Sequence, residues 1–500
     1  MKRVLSFLLV ATLIISCAVS LSACGGGSKV IMIWGPEEQR ELYLQWAEEF
    51  EEMHPDELKG YTFDYAGSGD AGAYSNMSID PTKGAAIYTF ANDQMANLAN
   101  LNALSPLSGA DLEWAKANNI EAAVEATRLG DKYMAYPLQA DNGYYMYYNK
   151  AAFEGTSVWD AERGDLKVGY TFRDLYNALD EKTDNWKNGF VSWPFGDSWY
   201  VSGVFFAVGG DFEVKYDSEG KQVSAACSFG YTLPEGASNY RDGDYTLGET
   251  AVQCMLNTFR NEDGTINPHF KYTDGDKVPY NDTVSTFTNP ENPQCQETPF
   301  AATINGTWKA AELHKNWGDD YAATVLPMLE DDAGNKYPMR TFAGYKHLGV
   351  NPMCEFAQKK PENIVLLHQL AQYLTSKDAQ IARYQLTGSG PSNKEALADP
   401  AIAQDTALVA LNAQYARECV YPAGTALKDA KGNSLAGQPV GNGMGFRVQD
   451  SVPANYWTPI SSFAQTMWQE YSSGTLNAFS EKNLHKTLAQ LQMDIEAASQ

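Results

Sequence analysis

The sequence predicts an α/β fold built as two lobes, and three observations lead there. First, 500 residues, 44% of them hydrophobic, are too many for one core and suit two globular units of roughly 150–250 residues each. Second, Val30-Ile31-Met32-Ile33-Trp34 is a short apolar run closed by Gly35-Pro36. Tyr43, Trp46, Ala47 and Phe50 then recur at helical spacing, and Tyr61-Thr62-Phe63-Asp64-Tyr65 alternates. Strand, helix, strand in that order predicts a βαβ unit with a cleft at the strand carboxyl ends. Third, Asp131 to Lys150 (DKYMAYPLQADNGYYMYYNK) holds two β-prone runs separated by Pro137 and a polar bend, Gln139-Ala140-Asp141-Asn142-Gly143. Taken alone, that stretch reads as two short strands about a polar bend, and a hairpin with an aromatic face is its plainest form.

Composition narrows the partners. With 37 basic and 62 acidic residues the net charge is −25, which argues against nucleic acid or an anionic membrane surface. The 11 Trp and 29 Tyr beside 21 Phe favour surfaces that are half apolar and half wet. Of seven cysteines, Cys17 and Cys24 lie in or at the end of an N-terminal leader. That leaves Cys227, Cys254, Cys295, Cys354 and Cys419, an odd number without a CxxC pair. Cys227 and Cys295 sit in loop-rich stretches and could pair; Cys254, in a helical pattern, reads as a buried small hydrophobe. The six histidines (54, 269, 314, 347, 368 and 485) show no ligand spacing, so neither a metal nor a cofactor is expected.

In chain order, Lys2-Arg3 and an apolar run from Val4 to Val19 precede Leu21-Ser22-Ala23-Cys24-Gly25. This resembles the bacterial lipoprotein signal, which implies that residues 1–23 are removed and Cys24 is lipidated. Residues 24–28, with Gly25-Gly26-Gly27-Ser28, form a flexible tether. Pro36 suits the first position of the helix that carries Tyr43 to Phe50, and Ala85-Ala86-Ile87-Tyr88-Thr89-Phe90 reads as a third strand running into Asn92-Asp93-Gln94. Gly67-Ser68-Gly69-Asp70 lacks the lysine and spacing of a phosphate loop. Thr171 to Leu179 reads as a helix, and Val204 to Phe212 carries an apolar helix to Gly209-Gly210. Pro361 opens a helix with Ile364, Leu367, His368, Ala371 and Leu374 on one side, where His368 reads as a packed residue. Leu484, Leu488, Leu491 and Ile495 close the chain as a periodic helix. Residues 211–245 and 261–297, rich in Gly, Asp, Ser and Tyr, read as loop insertions.

Several segments occur in a telling order: Ala85–Gln94, Asp131–Lys150, Phe190–Tyr200, Phe300-Ala301-Ala302-Thr303-Ile304-Asn305-Gly306-Thr307-Trp308 with Val325-Leu326-Pro327, Ser389-Gly390-Pro391-Ser392, and Val452–Ile460. Together they resemble the bacterial extracellular solute-binding proteins that bind maltodextrins and related sugars. The resemblance implies a type II periplasmic-binding-protein-like fold with a ligand cleft between lobes and three interlobe crossovers, near 137–141, 325–328 and 389–392. It divides the chain into residues 29–137 with 328–389 and residues 141–325 with 392–500. It also implies stacking on sugar by Phe90, Trp199, Trp308 and Trp457, and polar contacts from Glu37, Asp70, Asp93, Asn142, Asp197 and Tyr345. Planar rings take the C–H faces of a sugar while carboxylates and amides take its hydroxyls. Two positions depart from the maltodextrin pattern: Gln94 stands where the family carries arginine, and Asn142 where it carries an acid. The implied function is capture of an oligosaccharide for the permease subunits of an ABC transporter. The implied state is a monomer held outside the cell membrane by its N-terminal lipid alone, with no enzymatic activity. A secreted glycoside hydrolase, which needs two carboxylates about 5–9.5 Å apart, and a sensory lipoprotein are the alternatives.

Overall fold

In the computed structural model, residues 29–217, 222–237, 239–272, 298–449, 452–453 and 455–497 are described. The leader, the tether and Cys24 lie outside them, as does Cys295 and with it the expected pairing to Cys227.

The first lobe grows from the predicted βαβ unit. Strand β1 (Lys29–Gly35) runs parallel to β2 (Tyr61–Gly67), from Lys29 opposite Tyr61 to Gly35 opposite Gly67. Helix α1 (Arg40–Met53), entered through a short 3-10 turn after Pro36, joins them and buries Tyr43, Trp46, Ala47 and Phe50. β3 (Ile87–Ala91) adds in parallel on the other side of β1.

The next two strands settle the ambiguity of the Asp131–Lys150 stretch. β4 (Tyr136–Asn142) and β5 (Tyr145–Asn149) belong to different sheets, so the segment is a passage and not a hairpin. Its tyrosines are not free faces. Tyr144 and Tyr148 are buried in one core of the second lobe, and Tyr145 and Tyr147 in another, as the two-residue period of a strand requires.

The second lobe is a five-stranded sheet in the order β9 (Phe270–Tyr272), β6 (Phe190–Trp193), β10 (Phe300–Asn305), β5, β11 (Tyr321–Thr324). β6 is parallel to both β9 and β10, so the loops that follow β6 and β10 emerge at one edge. Around this sheet pack α2 (Phe172–Glu181), whose Thr171 and Asp174 form a reciprocal capping box, and α3 (Ser198–Ala207), buried on nearly every side. With them pack α4 (Thr246–Asn257), carrying the buried Cys254, and the C-terminal pair α8 (Trp457–Ser473) and α9 (Leu484–Glu496). Part of the expected insertion is an ordered hairpin, β7 (Phe212–Tyr216) with β8 (Gln222–Cys227). It is tied to α9 where Cys227 N–H donates to Glu496.

The return to the first lobe comes later than expected. The hairpin β12 (Met328–Glu330) and β13 (Lys336–Pro338) packs on α4, and Leu329, Tyr337 and Met339 lie in the core of the second lobe. The apolar side chains of 329–339 thus hold in the second lobe a segment whose start at 328 was expected in the first. The long strand β14 (Thr341–Val350) makes the return, pairing antiparallel with β3 and β4 and parallel with β15 (Phe446–Val448). Helix α5 (Pro361–Leu374), with proline in its first turn and His368 buried, then covers the first sheet, followed by α6 (Lys377–Thr387). Gln139 meets Pro391 in an antiparallel bridge before α7 (Thr406–Ala416) packs on β11.

Asp141 sits where these passages meet. Its side chain is 2% exposed, and Oδ2 accepts from Thr307 Oγ1 at 2.6 Å and from the Gly390 N–H at 2.6 Å. Removing the acceptor strands a hydroxyl and an amide in the interior and leaves the neighbouring Lys346 with one fewer counter-charge. Asp141→Ala is therefore expected to destabilise the protein by about 3–5 kcal/mol, read as a lower midpoint in denaturant unfolding. An unchanged midpoint would contradict the role given to this carboxylate.

Candidate functional site

The parallel strands of both sheets bring their carboxyl ends to the space between the lobes. From the first sheet come Glu37 after β1, Asp70 after β2 and Asp93 after β3. From the second come Asp197 and Trp199 after β6 and Trp308 after β10, while Trp457 opens α8.

One group of these residues meets across the lobes. Trp199 stacks on Phe342 (centroids 4.6 Å apart, planes 20° apart) and lies 5.9 Å from Trp457, which also packs edge-on to Tyr456 and Phe342. The Trp457 side chain comes close enough to Asp93 of the opposite lobe to draw its carboxyl down. Asp197 caps α3, its Oδ1 accepting from the Trp199 N–H at 2.8 Å, and the surrounding cleft pushes its carboxyl up. The indole N–H of Trp199 is buried without a protein partner. Asn142, beside the Asp141 junction, joins this group through Gln449: its Nδ2 donates to Gln449 Oε1 at 2.8 Å.

A second group surrounds Lys346. Its ammonium lies 3.0 Å from Asp70 and 5.7 Å from the centre of the Trp308 ring. Burial works against its charge, but Asp70 and Asp141 outweigh burial and hold it protonated. Trp308, 37% exposed, lies over Gly306, where an added Cβ would fall 2.2 Å from the ring. It is the most open of the expected platforms.

Other expected residues take different places. Phe90 is 0% exposed and packs with Tyr88, Met95 and Leu98 in a first-lobe core, because every residue of β3 is buried; it presents no face to a ligand. Asp70 is taken up by Lys346 and by Thr89, whose Oγ1 donates to it at 2.5 Å. Glu37 is exposed and forked to Arg40. Tyr345 lines a cavity of about 510 Å³ with Met95, Phe212, Arg447 and Val448, none of whose walls is one of the three tryptophans. Lys346 and Gln449 were missed from sequence. Lys346 follows Tyr345 in a strand pattern, and Gln449 belongs to no recognisable motif.

Among the described residues no cluster of metal-ligating side chains occurs, and no helix is long and apolar enough to cross a membrane. The family profile of bacterial extracellular solute-binding proteins matches residues 45–410, most of the chain. The chain belongs to that family. No curated protein is significantly similar in sequence. This solute-binding protein has the fold of the maltodextrin binding protein MalE1 from L. casei BL23 (TM-score 0.61, 19% identity, 95% of this chain and 100% of that one). It shares it with the Thermus thermophilus maltotriose binding protein bound with maltotriose (0.59, 16%, 93% and 98%). The GacH receptor of Streptomyces glaucescens is similar too (0.57, 16%, 94% and 100%).

The electrostatics of Asp93 give this site a pH signature. Burial raises its carboxyl from 3.8 to about 6, only partly offset by its own backbone N–H and by the nearby Trp457 side chain. Between those values the folded solute-binding protein keeps a proton that the unfolded chain has lost, so this group's contribution to stability falls as pH rises through the window. Asparagine carries no such penalty. The stability of Asp93→Asn relative to the unsubstituted protein should therefore increase between pH 4 and pH 7, measured in melts of the ligand-free proteins. A difference independent of pH would contradict the assignment.

Proposed function

We propose that this protein captures a neutral oligosaccharide between its lobes and delivers it to the permease of an ABC importer, binding the sugar without cleaving it. The reading rests on two groups of cleft residues drawn from both lobes: Trp199 and Trp457 beside Asp93, with Asn142 tied in through Gln449, and Trp308 beside Lys346 and Asp70. Flat rings beside carboxylates and amides suit a ligand with C–H faces and a rim of hydroxyls. Residues from both lobes at one place favour capture by closure. Structural relatives include proteins described as binding maltodextrin and maltotriose, which favours a glucan. Gln94 and Asn142, neutral where the maltodextrin pattern is charged, favour a linkage or length other than maltose. Gln94 itself is spent on the loop after β2, accepting from the Tyr74 N–H and donating to the Asp70 carbonyl. The cleft carboxylates favour binding over hydrolysis, since Asp93 is held by the Gln449 amide and Asp197 caps a helix.

Loss of one stacking platform costs about 1–3 kcal/mol, which is roughly 5- to 150-fold in dissociation constant. Trp308→Ala should weaken sugar binding by that factor and leave the melting temperature nearly unchanged, because the ring is already partly in solvent. An early melt with normal binding by the folded fraction would make Trp308 a packing residue.

We further propose that the mature chain begins at Cys24, lipidated and anchored outside the cell membrane, from the Leu21-Ser22-Ala23-Cys24 segment. Cys24→Ala should then leave the protein unprocessed or release it to the medium. A cleaved Cys24→Ala form still fractionating with membranes would oppose this.

A further inference from the structure

We propose that Gln449 is a positioning residue of the cleft, whose side-chain amide fixes the Asp93 carboxylate and the Asn142 carboxamide in one arrangement. The proposal rests on reading the cleft as the ligand site. Gln449 follows β15 and is 1% exposed, so it does not reach a solute itself. Its amide is used at both ends: Oε1 accepts from Asn142 Nδ2 at 2.8 Å, and Nε2 donates to Asp93 Oδ1 at 3.3 Å. The orientation follows from the chemistry, because an ionised carboxylate only accepts.

The backbone of Gln449 is pinned as well. Its N–H donates to the Ala343 carbonyl at 2.8 Å, and its own carbonyl accepts from Asn92 Nδ2 at 2.5 Å. Asn92 in turn is set by His347, whose Nε2 lies 2.6 Å from Asn92 Oδ1 and which burial keeps neutral. An independent observation is the glycine opposite. A Cβ on Gly344 would fall 1.9 Å from Gln449 Oε1 and 2.9 Å from Asn142 Nδ2, so β14 leaves room for this amide.

The consequence reaches the other lobe. Asp93 meets the Gln449 amide from its own lobe and Trp457 from the second, so the pose in which Asp93 meets Trp457 depends on Gln449. The groups around Asp93 are Asn92 and Gln94 on its own turn, Gln449 after β15, Asn142 through Gln449, and Trp457 on α8. None of them carries a charge, so its titration reports hydrogen bonding and burial.

The test uses the whole mature protein and the indole N–H signal of Trp457, one of 11 tryptophans, assigned by its loss in Trp457→Phe. In the unsubstituted protein this signal should titrate with a midpoint of about 6. Gln449→Leu removes the amide donor, and Gln449→Glu turns an oxygen toward Asp93 while keeping the shape of the side chain. Both should move the midpoint to higher pH, Gln449→Glu the further, because like charges so close favour sharing one proton. Maltotriose is the binding probe, and Gln449→Leu should weaken it about tenfold, as the loss of hydrogen bonds to a charged group does. A merely structural glutamine would lower the melting temperature and leave the midpoint in place. Unshifted midpoints in both variants overturn the proposal. If the unsubstituted protein does not bind maltotriose, the sugar reading loses its support, while the midpoints still decide the role of Gln449.

Discussion

The architecture depends on one buried carboxylate. Asp141 ends the first passage between lobes, takes hydrogen bonds from Thr307 at the end of β10 and from Gly390 on the third passage, and faces Lys346 on the strand that makes the second. A charge so placed persists only because each neighbour compensates its lost hydration. Burial pushes its carboxyl up, while Lys346, Thr307 and Gly390 pull it down. The approach is close: a Cβ on Gly390 would come 2.7 Å from that of Asp141. Segments 166 and 249 residues away in sequence are thereby tied at one point, around which the two sheets face each other.

From that junction the candidate cleft follows by topology. Parallel strands deliver their carboxyl ends to one edge in each lobe, and both edges open on the same space. What fills it is unequal. Trp199 and Trp457 are partly packed against Phe342, and Trp457 already meets Asp93 of the first lobe, whereas Trp308 stands over a glycine with one side in solvent. The cleft thus has a rigid aromatic end, supported by the core of the second lobe, and a more open end beside Lys346.

Much of this was legible in the sequence, for identifiable reasons. The βαβ start was readable because Val30–Trp34 and Tyr43–Phe50 carry clean periods, and both survive as β1 and α1. The two-lobe fold followed from the order of the crossover segments. The Phe90 ring was misread because a strand buried on both faces shows no alternation to distinguish an end that meets solvent from one that does not. The return to the first lobe was misplaced because Val325-Leu326-Pro327 looks like a passage, whereas Leu329, Tyr337 and Met339 act only through α4 and its neighbours, far away in sequence. Lys346 and Gln449 could not be found locally, since each owes its role to partners more than 200 residues away.

The proposed role requires the space between the lobes to hold an intact neutral oligosaccharide. Calorimetric titration with a panel of neutral oligosaccharides, followed by chromatography of the recovered sugar, tests it most directly. Saturable binding of at least one oligosaccharide is expected, abolished or weakened when Trp308, Trp199 and Trp457 are replaced together, with the sugar recovered at its original length. No saturable binding by any member of the panel, or recovery of shortened sugar, would contradict it.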